Sequence, residues 1–279
     1  MALVSTISPC YGMKRYLKLF LQELPQQTAF IDIEVVLDHN DPDEEEVQWV
    51  KDFQAQYPDR LVHLITRPVA PVGTSMNKCI SVSSGKYLAV WNIDDLRTPD
   101  SIQKQIDILE SNESCDVAFG SFVVVNSPGL RAGSLLDHTR FTPGHSELTR
   151  GMVLGPFFMF RKTVLEKVGL FDEQLVSGAD FDFAVRLGAN NSNIICADGI
   201  LGYYLNEGMG ASTNGSEKQP VERTVVELRY GIFDKIESRW LEKAKLYKVD
   251  QLLINGNWIP VSKYIKNYEQ FVILNSNKQ

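Results

Sequence analysis

The chain switches repeatedly between short apolar runs and longer stretches with a single apolar face. Ala2 to Ser8 is rich in β-branched residues and reads as a strand, closed by the turn Pro9-Cys10-Tyr11-Gly12. Met13 to Leu24 places Tyr16, Leu17, Phe20 and Leu24 at helical spacing, and Pro25 stops it. Ile31 to Leu37 predicts a second strand, running into the polar turn Asp38-His39-Asn40-Asp41-Pro42-Asp43. Glu44-Glu45-Glu46 then opens a helix, where acids suit the positive end of the helix dipole. Leu61 to Thr66 is a third strand, Ser75 to Ser83 a helix, and Tyr87 to Ile93 a fourth strand that ends abruptly in Asp94-Asp95. That last run does not alternate, which predicts cover on both faces, as in a parallel sheet between helices. A helix from Ser101 to Glu110 and a strand from Val117 to Val125 complete an alternating pattern. It predicts an α/β fold with a mostly parallel, doubly wound sheet.

The second half is less regular. Ser127 to Gly151, rich in Gly, Pro, Ser and Thr, predicts a long loop. Phe157 to Phe160 is a short strand, Lys162 to Val168 a helix, and Asp180 begins a helix to Leu187. Ile194 to Ala197 and Leu201 to Leu205 predict two strands. After about Ser212 the composition changes: a linker at Asn214-Gly215-Ser216, helices from Val221 to Tyr247, and a hairpin from Leu252 to Ile259 across Asn255-Gly256. Residues 1–213 are expected to form one domain. Residues 214–279 are expected to be a packing appendage outside the sheet, with a homo-oligomer contact or a cover over the cleft as alternatives.

Composition narrows the classes. At 44% hydrophobic and 23% charged, the 279 residues have ample material for a core. A formal net charge of −7 argues against a nucleic-acid partner and against electrostatic attachment to anionic lipid. The four cysteines are far apart and form no CxxC pair, so they are expected to be free thiols. No apolar window is long enough for a transmembrane helix and no signal-peptide pattern opens the chain, so a cytoplasmic location is expected, with peripheral membrane contact left open.

Glycine motifs for a dinucleotide or a P-loop are missing, as is a GxSxG nucleophile elbow. What remains is a set of carboxylates at predicted strand and helix ends: Asp38 and Asp41, Asp94 and Asp95, and Asp180. Ligands of open α/β sheets sit beyond the carboxyl ends of the strands. Any one of these acids is more simply a solvated loop acid, but three groups at one sheet edge suit a nucleotide diphosphate. One group then receives the base, another holds ribose hydroxyls, and a third binds a divalent cation.

In order along the chain, six segments resemble the motifs of family 2 glycosyltransferases with the GT-A fold and inverting chemistry. They are Val4 to Gly12, Glu34 to Asp41, Gly73 to Ile80, Ser84 to Asp95, Phe158 to Glu173 and Gly178 to Leu187. The resemblance implies a sugar moved from a nucleotide-diphosphate sugar, with a UDP-sugar favoured, to a glycan or other hydroxyl acceptor, with Mn2+ or Mg2+ as cofactor. It implies a nucleotide-binding half at 1–125 and an acceptor and catalytic half at 126–213. It assigns the nucleotide to Pro9, Tyr11, Asp38 or Asp41, Asn77, Asn92 and Asp94, with Asp94 towards the ribose. It assigns the metal to Asp95 and Glu207, and the general base to Asp180. Asn92 stands where relatives often carry an acid, and Ala179 where they carry Glu. Those two departures motivate an alternative, a non-catalytic sugar-nucleotide or glycan-binding module. A nucleotidyltransferase is a third reading, weakened by the missing Gly-rich basic loop.

Overall fold

The computed structural model describes residues 2–141, 145–149, 151–208 and 216–277. The elements run β1 Val4–Tyr11, α1 Lys14–Glu23, β2 Ile33–Asn40, α2 Glu44–Gln56, β3 Leu61–Thr66, α3 Val72–Val82, β4 Tyr87–Val90, β5 Leu96–Arg97, α4 Ser101–Ser111 and β6 Val117–Val125. They continue with β7 Ser134–Leu136, α5 His145–Leu148, β8 Met159–Arg161, α6 Val164–Val168, α7 Ala179–Ala189, β9 Ile194–Leu205, α8 Lys218–Tyr230, α9 Leu241–Ala244, β10 Gln251–Ile254, β11 Asn257–Pro260 and α10 Tyr268–Ser276.

Among the described residues the main sheet has nine strands, in the order β3-β2-β1-β4-β8-β6-β9-β5, with β7 paired to β6. β1, β2, β3 and β4 are parallel, and β9 runs parallel to β6. β8 is inserted antiparallel between β4 and β6. The expected α/β fold with a mostly parallel sheet is therefore present; the antiparallel insertion of β8 and the short strands β5 and β7 carried no sequence signal, and the stretch expected as a loop at 127–151 holds β7 and α5. The two strands expected at 194–205 are one continuous strand, irregular where Asp198 and Gly199 bulge against Gly120 and Ser121.

Alternate residues of each central strand feed two separate cores, as a pleated strand requires. Leu88 and Val90 of β4 join Met76, Cys79 and Ile80 of α3 and Phe183 of α7 on one face. Tyr87 and Ala89 join Leu17 and Phe20 of α1 and Ile102 and Ile106 of α4 on the other. Covered faces explain why the strands read as unbroken apolar runs. Gly85, just before β4, lies so close to β1 that an added Cβ would stand 2.5 Å from the Ser5 nitrogen.

The C-terminal segment adds no strand to the main sheet, yet it shares the sheet's core. Val221, Val225, Tyr230, Leu252 and Ile265 belong to the same cluster as Val90 and Phe183. A fully buried ion network joins them: Arg229 of α8 pairs with Asp172 at 2.9 Å and Asp182 at 2.6 Å, and Arg186 pairs with Asp182 at 2.8 Å. Burial works against the Asp182 charge, but Arg186 and Arg229 more than offset it and hold that carboxyl below its usual range. The hairpin β10–β11 turns at Asn255 and Gly256, both with positive φ, as the Asn-Gly pair predicts. The expected linker at 214–215 lies outside the described residues.

Candidate active site

One cleft of about 410 Å3 opens beyond the carboxyl ends of β1, β4 and β9. Pro9 at the end of β1, Met13, and Val72 and Met76 of α3 line it, with Asn92, Ile93 and Asp94 of the turn that follows β4. Further lining comes from Gly151 to Met152, Gly155 to Pro156, the stretch Val176 to Phe181, Tyr204 and Leu205 of β9, and Gln219 and Arg223 of α8.

The 91–95 turn is held from inside. Trp91 is fully buried, packs edge-on against Phe20 at 5.5 Å, and donates its indole N–H to the Asp95 carbonyl at 3.2 Å. Asp95 is buried as well. Its Oδ1 accepts the Leu205 N–H at 2.9 Å and its Oδ2 accepts the Asn92 amide at 2.9 Å. Burial first, then the neighbouring Asp94 charge, push its carboxyl well above the usual range. Asp95 thus clamps the β4 turn to the end of β9 and does not line the cleft. Asp94 does. Burial, and then the nearby Glu207 carboxylate, raise the Asp94 carboxyl too.

Glu207 follows β9 and is only 13% exposed at its side chain. It takes the Tyr16 hydroxyl and pairs with Arg15 at 3.1 Å. Carboxylate oxygens of two acids that act on each other are a donor type suited to a hard divalent cation. Among the described residues no cluster of three His, Cys, Asp or Glu side chains is poised for a metal. Asp94 lines the cleft, whereas Glu207 lies outside its lining and is engaged by Tyr16 and Arg15.

On the far wall, Asp180 sits in the first turn of α7 and lines the cleft. Its Oδ1 accepts the Phe181 N–H at 2.7 Å. Burial, with a further push from the Glu222 carboxylate, raises its carboxyl to about 6. A carboxyl titrating there is matched to proton transfer near neutrality.

The remaining residues singled out by sequence lie outside the cleft lining. Asp38 is buried and accepts from Thr66 at 2.6 Å, from Asn40 at 3.2 Å and from the Ser75 hydroxyl, tying β2, β3 and α3 together. Asp41 is exposed and pairs with Arg67 at 3.3 Å. Tyr11 projects to solvent, 60% exposed. Asn77 is buried, donating to the Phe171 carbonyl at 2.9 Å and to Glu173 at 3.0 Å and accepting from the Phe171 N–H at 3.0 Å. Sequence reasoning passed over Gln219, Glu222 and Arg223. They belong to an ordinary amphipathic helix far along the chain, and no local motif marks them.

Residues 5–169 match the description Glycosyl transferase family 2, which is more than half of the chain. The chain belongs to that family, and its fold is the GT-A fold of glycosyltransferases. It is similar to an uncharacterized glycosyltransferase of Methanocaldococcus jannaschii, 26% identical over 68% of this chain and 66% of that protein. It is also similar to a chondroitin synthase of Escherichia coli, 22% identical over 71% of this chain and 29% of that protein. The chain thus spans just under two thirds of the first of these relatives and less than a third of the second. Among solved structures, S. aureus TarS 1–349 in complex with UDP-GlcNAc superposes with a TM-score of 0.66 at 18% identity, covering 82% of this chain and 65% of that one. The mannosyltransferase PcManGT of Pyrobaculum calidifontis, in complex with GDP-Man and Mn2+, gives 0.58 at 15% identity, covering 98% and 70%.

Proposed function

We propose that this glycosyltransferase inverts the anomeric centre of a nucleotide-diphosphate sugar, a UDP-sugar first among them, while transferring it to a hydroxyl of a glycan or similar acceptor. The observation that carries the reading is that Asp94 and Asp180, brought in by separate elements, line one cleft, and that Asp180 is tuned to about 6. Residues 1–125 hold the nucleotide, residues 126–213 bring the base and the acceptor wall, and the C-terminal segment closes the cleft through Gln219 and Arg223.

Asp180 takes the proton of the acceptor hydroxyl, with Oδ2 as the oxygen left by the Phe181 hydrogen bond. The freed oxygen attacks the anomeric carbon in line with the departing diphosphate. Asp94 and Glu207 would hold Mn2+ or Mg2+, which offsets the charge of the leaving diphosphate when bound. In this reading the metal carboxylate facing the cleft is Asp94. Asp95 acts behind it, orienting the turn through Asn92 and Leu205. The apolar walls, Met13, Val90, Phe158 and Phe181, exclude water from the sugar.

The test is release of nucleoside diphosphate from a panel of UDP-, GDP- and dTDP-sugars with Mn2+ and a glycan acceptor panel. Turnover that disappears in Asp180→Asn while calorimetric donor binding persists supports the reading. Tight donor binding by the unaltered protein with no transfer to any acceptor points instead to a sugar-nucleotide-binding module. Full turnover in Asp180→Asn removes Asp180 as the base.

A further inference from the structure

The turn that leads into α7 is fastened from a distant part of the chain. Glu222, in the second turn of α8, is fully buried. Its carboxylate accepts three consecutive backbone N–H groups: Val176 at 2.9 Å, Ser177 at 2.6 Å and Gly178 at 2.9 Å. The Ser177 hydroxyl adds a bond at 3.3 Å and Tyr247 donates from the other side at 3.5 Å. Three adjacent N–H groups converging on one anion form a nest that a neutral group fills poorly. Gly178 is the tightest point: a Cβ there would stand 3.2 Å from the Cβ of Glu222. All three anchored residues line the cleft, immediately before Ala179 and Asp180.

We propose that Glu222 is the positioning residue of Asp180, anchoring the 176–178 turn so that the first turn of α7 presents its carboxylate to the acceptor hydroxyl. The proposal rests on Asp180 being the base, and it places part of the catalytic apparatus in the C-terminal segment. Glu222 has a second effect, through space: its negative charge adds to burial in making Asp180 a stronger base. Among the described residues, the further charged side chains on the cleft or on α7 are Arg223, Asp94, Asp182 and Arg186. Arg223 of α8 lines the cleft and is tied to Glu227 at 2.9 Å. Asp182, on the same helix, is turned away to Arg186 and Arg229. Asp94 reaches the cleft from the turn after β4.

Two variants separate anchoring from charge. Glu222→Gln removes the charge and one acceptor oxygen. Glu222→Asp keeps the charge and shortens its reach by one methylene. Turnover is read as nucleoside diphosphate release from UDP-, GDP- and dTDP-sugars with Mn2+. The Asp180 carboxyl is titrated by 13C NMR on protein labelled at its Asp carboxyls and assigned with Asp180→Asn. In folded Glu222→Gln, kcat is expected to fall about 10- to 100-fold with donor KM little changed. The Asp180 midpoint is expected to move below the wild-type value. Glu222→Asp is expected to lose kcat while the midpoint stays in place. A wild-type kcat or an unmoved midpoint in Glu222→Gln overturns the proposal. If that variant does not fold, Glu222→Asp decides: reduced kcat with the midpoint held supports it, and wild-type kcat overturns it. Failure of the base assignment shows separately, as activity in Asp180→Asn, while the NMR midpoint still reports on Glu222.

Discussion

The acids of this protein fall into two regions that look alike in sequence and differ in their surroundings. Near the carboxyl ends of β2 and β4, Asp38 and Asp95 are buried, and each carboxylate already accepts hydrogen bonds from neighbouring elements. At the cleft wall, Asp94 and Asp180 face open space with oxygens to spare. The first pair act as clamps, and the second pair are the proposed tools. What separates them is not charge, exposure of the strand end or distance from the sheet, but whether the fold has already used their lone pairs. A buried acceptor left without its donors costs about 1–3 kcal/mol. A clamp is therefore missed as lost stability and a tool as lost rate.

The largest expected effect tests a tool. Asp180→Asn should lower kcat by roughly 10²- to 10⁴-fold, the usual contribution of a positioned general base, measured as nucleoside diphosphate release. The same variant should melt at or above the wild-type temperature at pH 8. The sign follows from the raised carboxyl: the folded state holds the proton more tightly than the unfolded chain, so ionising Asp180 costs stability as pH rises from about 3.8 to about 6. A variant that loses both rate and stability would break the distinction.

Next comes the buried network. Arg229→Met leaves Asp172 and Asp182 without their shared partner and should destabilise by about 3–5 kcal/mol in urea unfolding. An unchanged midpoint would mean that the ion pairs of α8 contribute little to the fold. A smaller effect is expected from pH alone. Asp180 must be ionised to act, so kcat/KM should be flat above about 6 and fall by about tenfold per unit below it. The smallest concerns Asp41, which is exposed and lies outside the cleft lining. Asp41→Ala removes an exposed pair with Arg67, worth about 0–1 kcal/mol, and donor KM should change by no more than about twofold. A tenfold rise in KM would place the nucleotide over that turn after all.

Much of the fold was legible because its strands are covered on both faces and so read as unbroken apolar runs, separated by helices of clear period. The antiparallel insertion of β8 was not, because three residues carry no information about strand direction. The cleft acids were legible as a group, but not their individual roles. Adjacent side chains in a turn leave in different directions, so Asp94 and Asp95 had to have different surroundings. Which of them met the cleft depended on where β9 ended, more than a hundred residues away. Asn77 was assigned to the nucleotide by resemblance, yet its partners lie at 171–173. Glu222 carried no signal, because its meaning arises only where α8 crosses the approach to α7. An acid does stand beside Asp180, though not at Ala179 where relatives carry one.

Glu173 joins three parts of the chain at once. It accepts from Asn77 of α3 and from the backbone N–H groups of Asn255 at 3.0 Å and Gly256 at 3.3 Å in the C-terminal hairpin. The early helix, the approach to the catalytic wall and the late hairpin therefore share one knot. Chain emerging from the ribosome cannot tie that knot before residues 255 and 256 have followed. The packing around Glu173 is thus completed only after the hairpin has been made, rather than in the order the strands of the sheet are written.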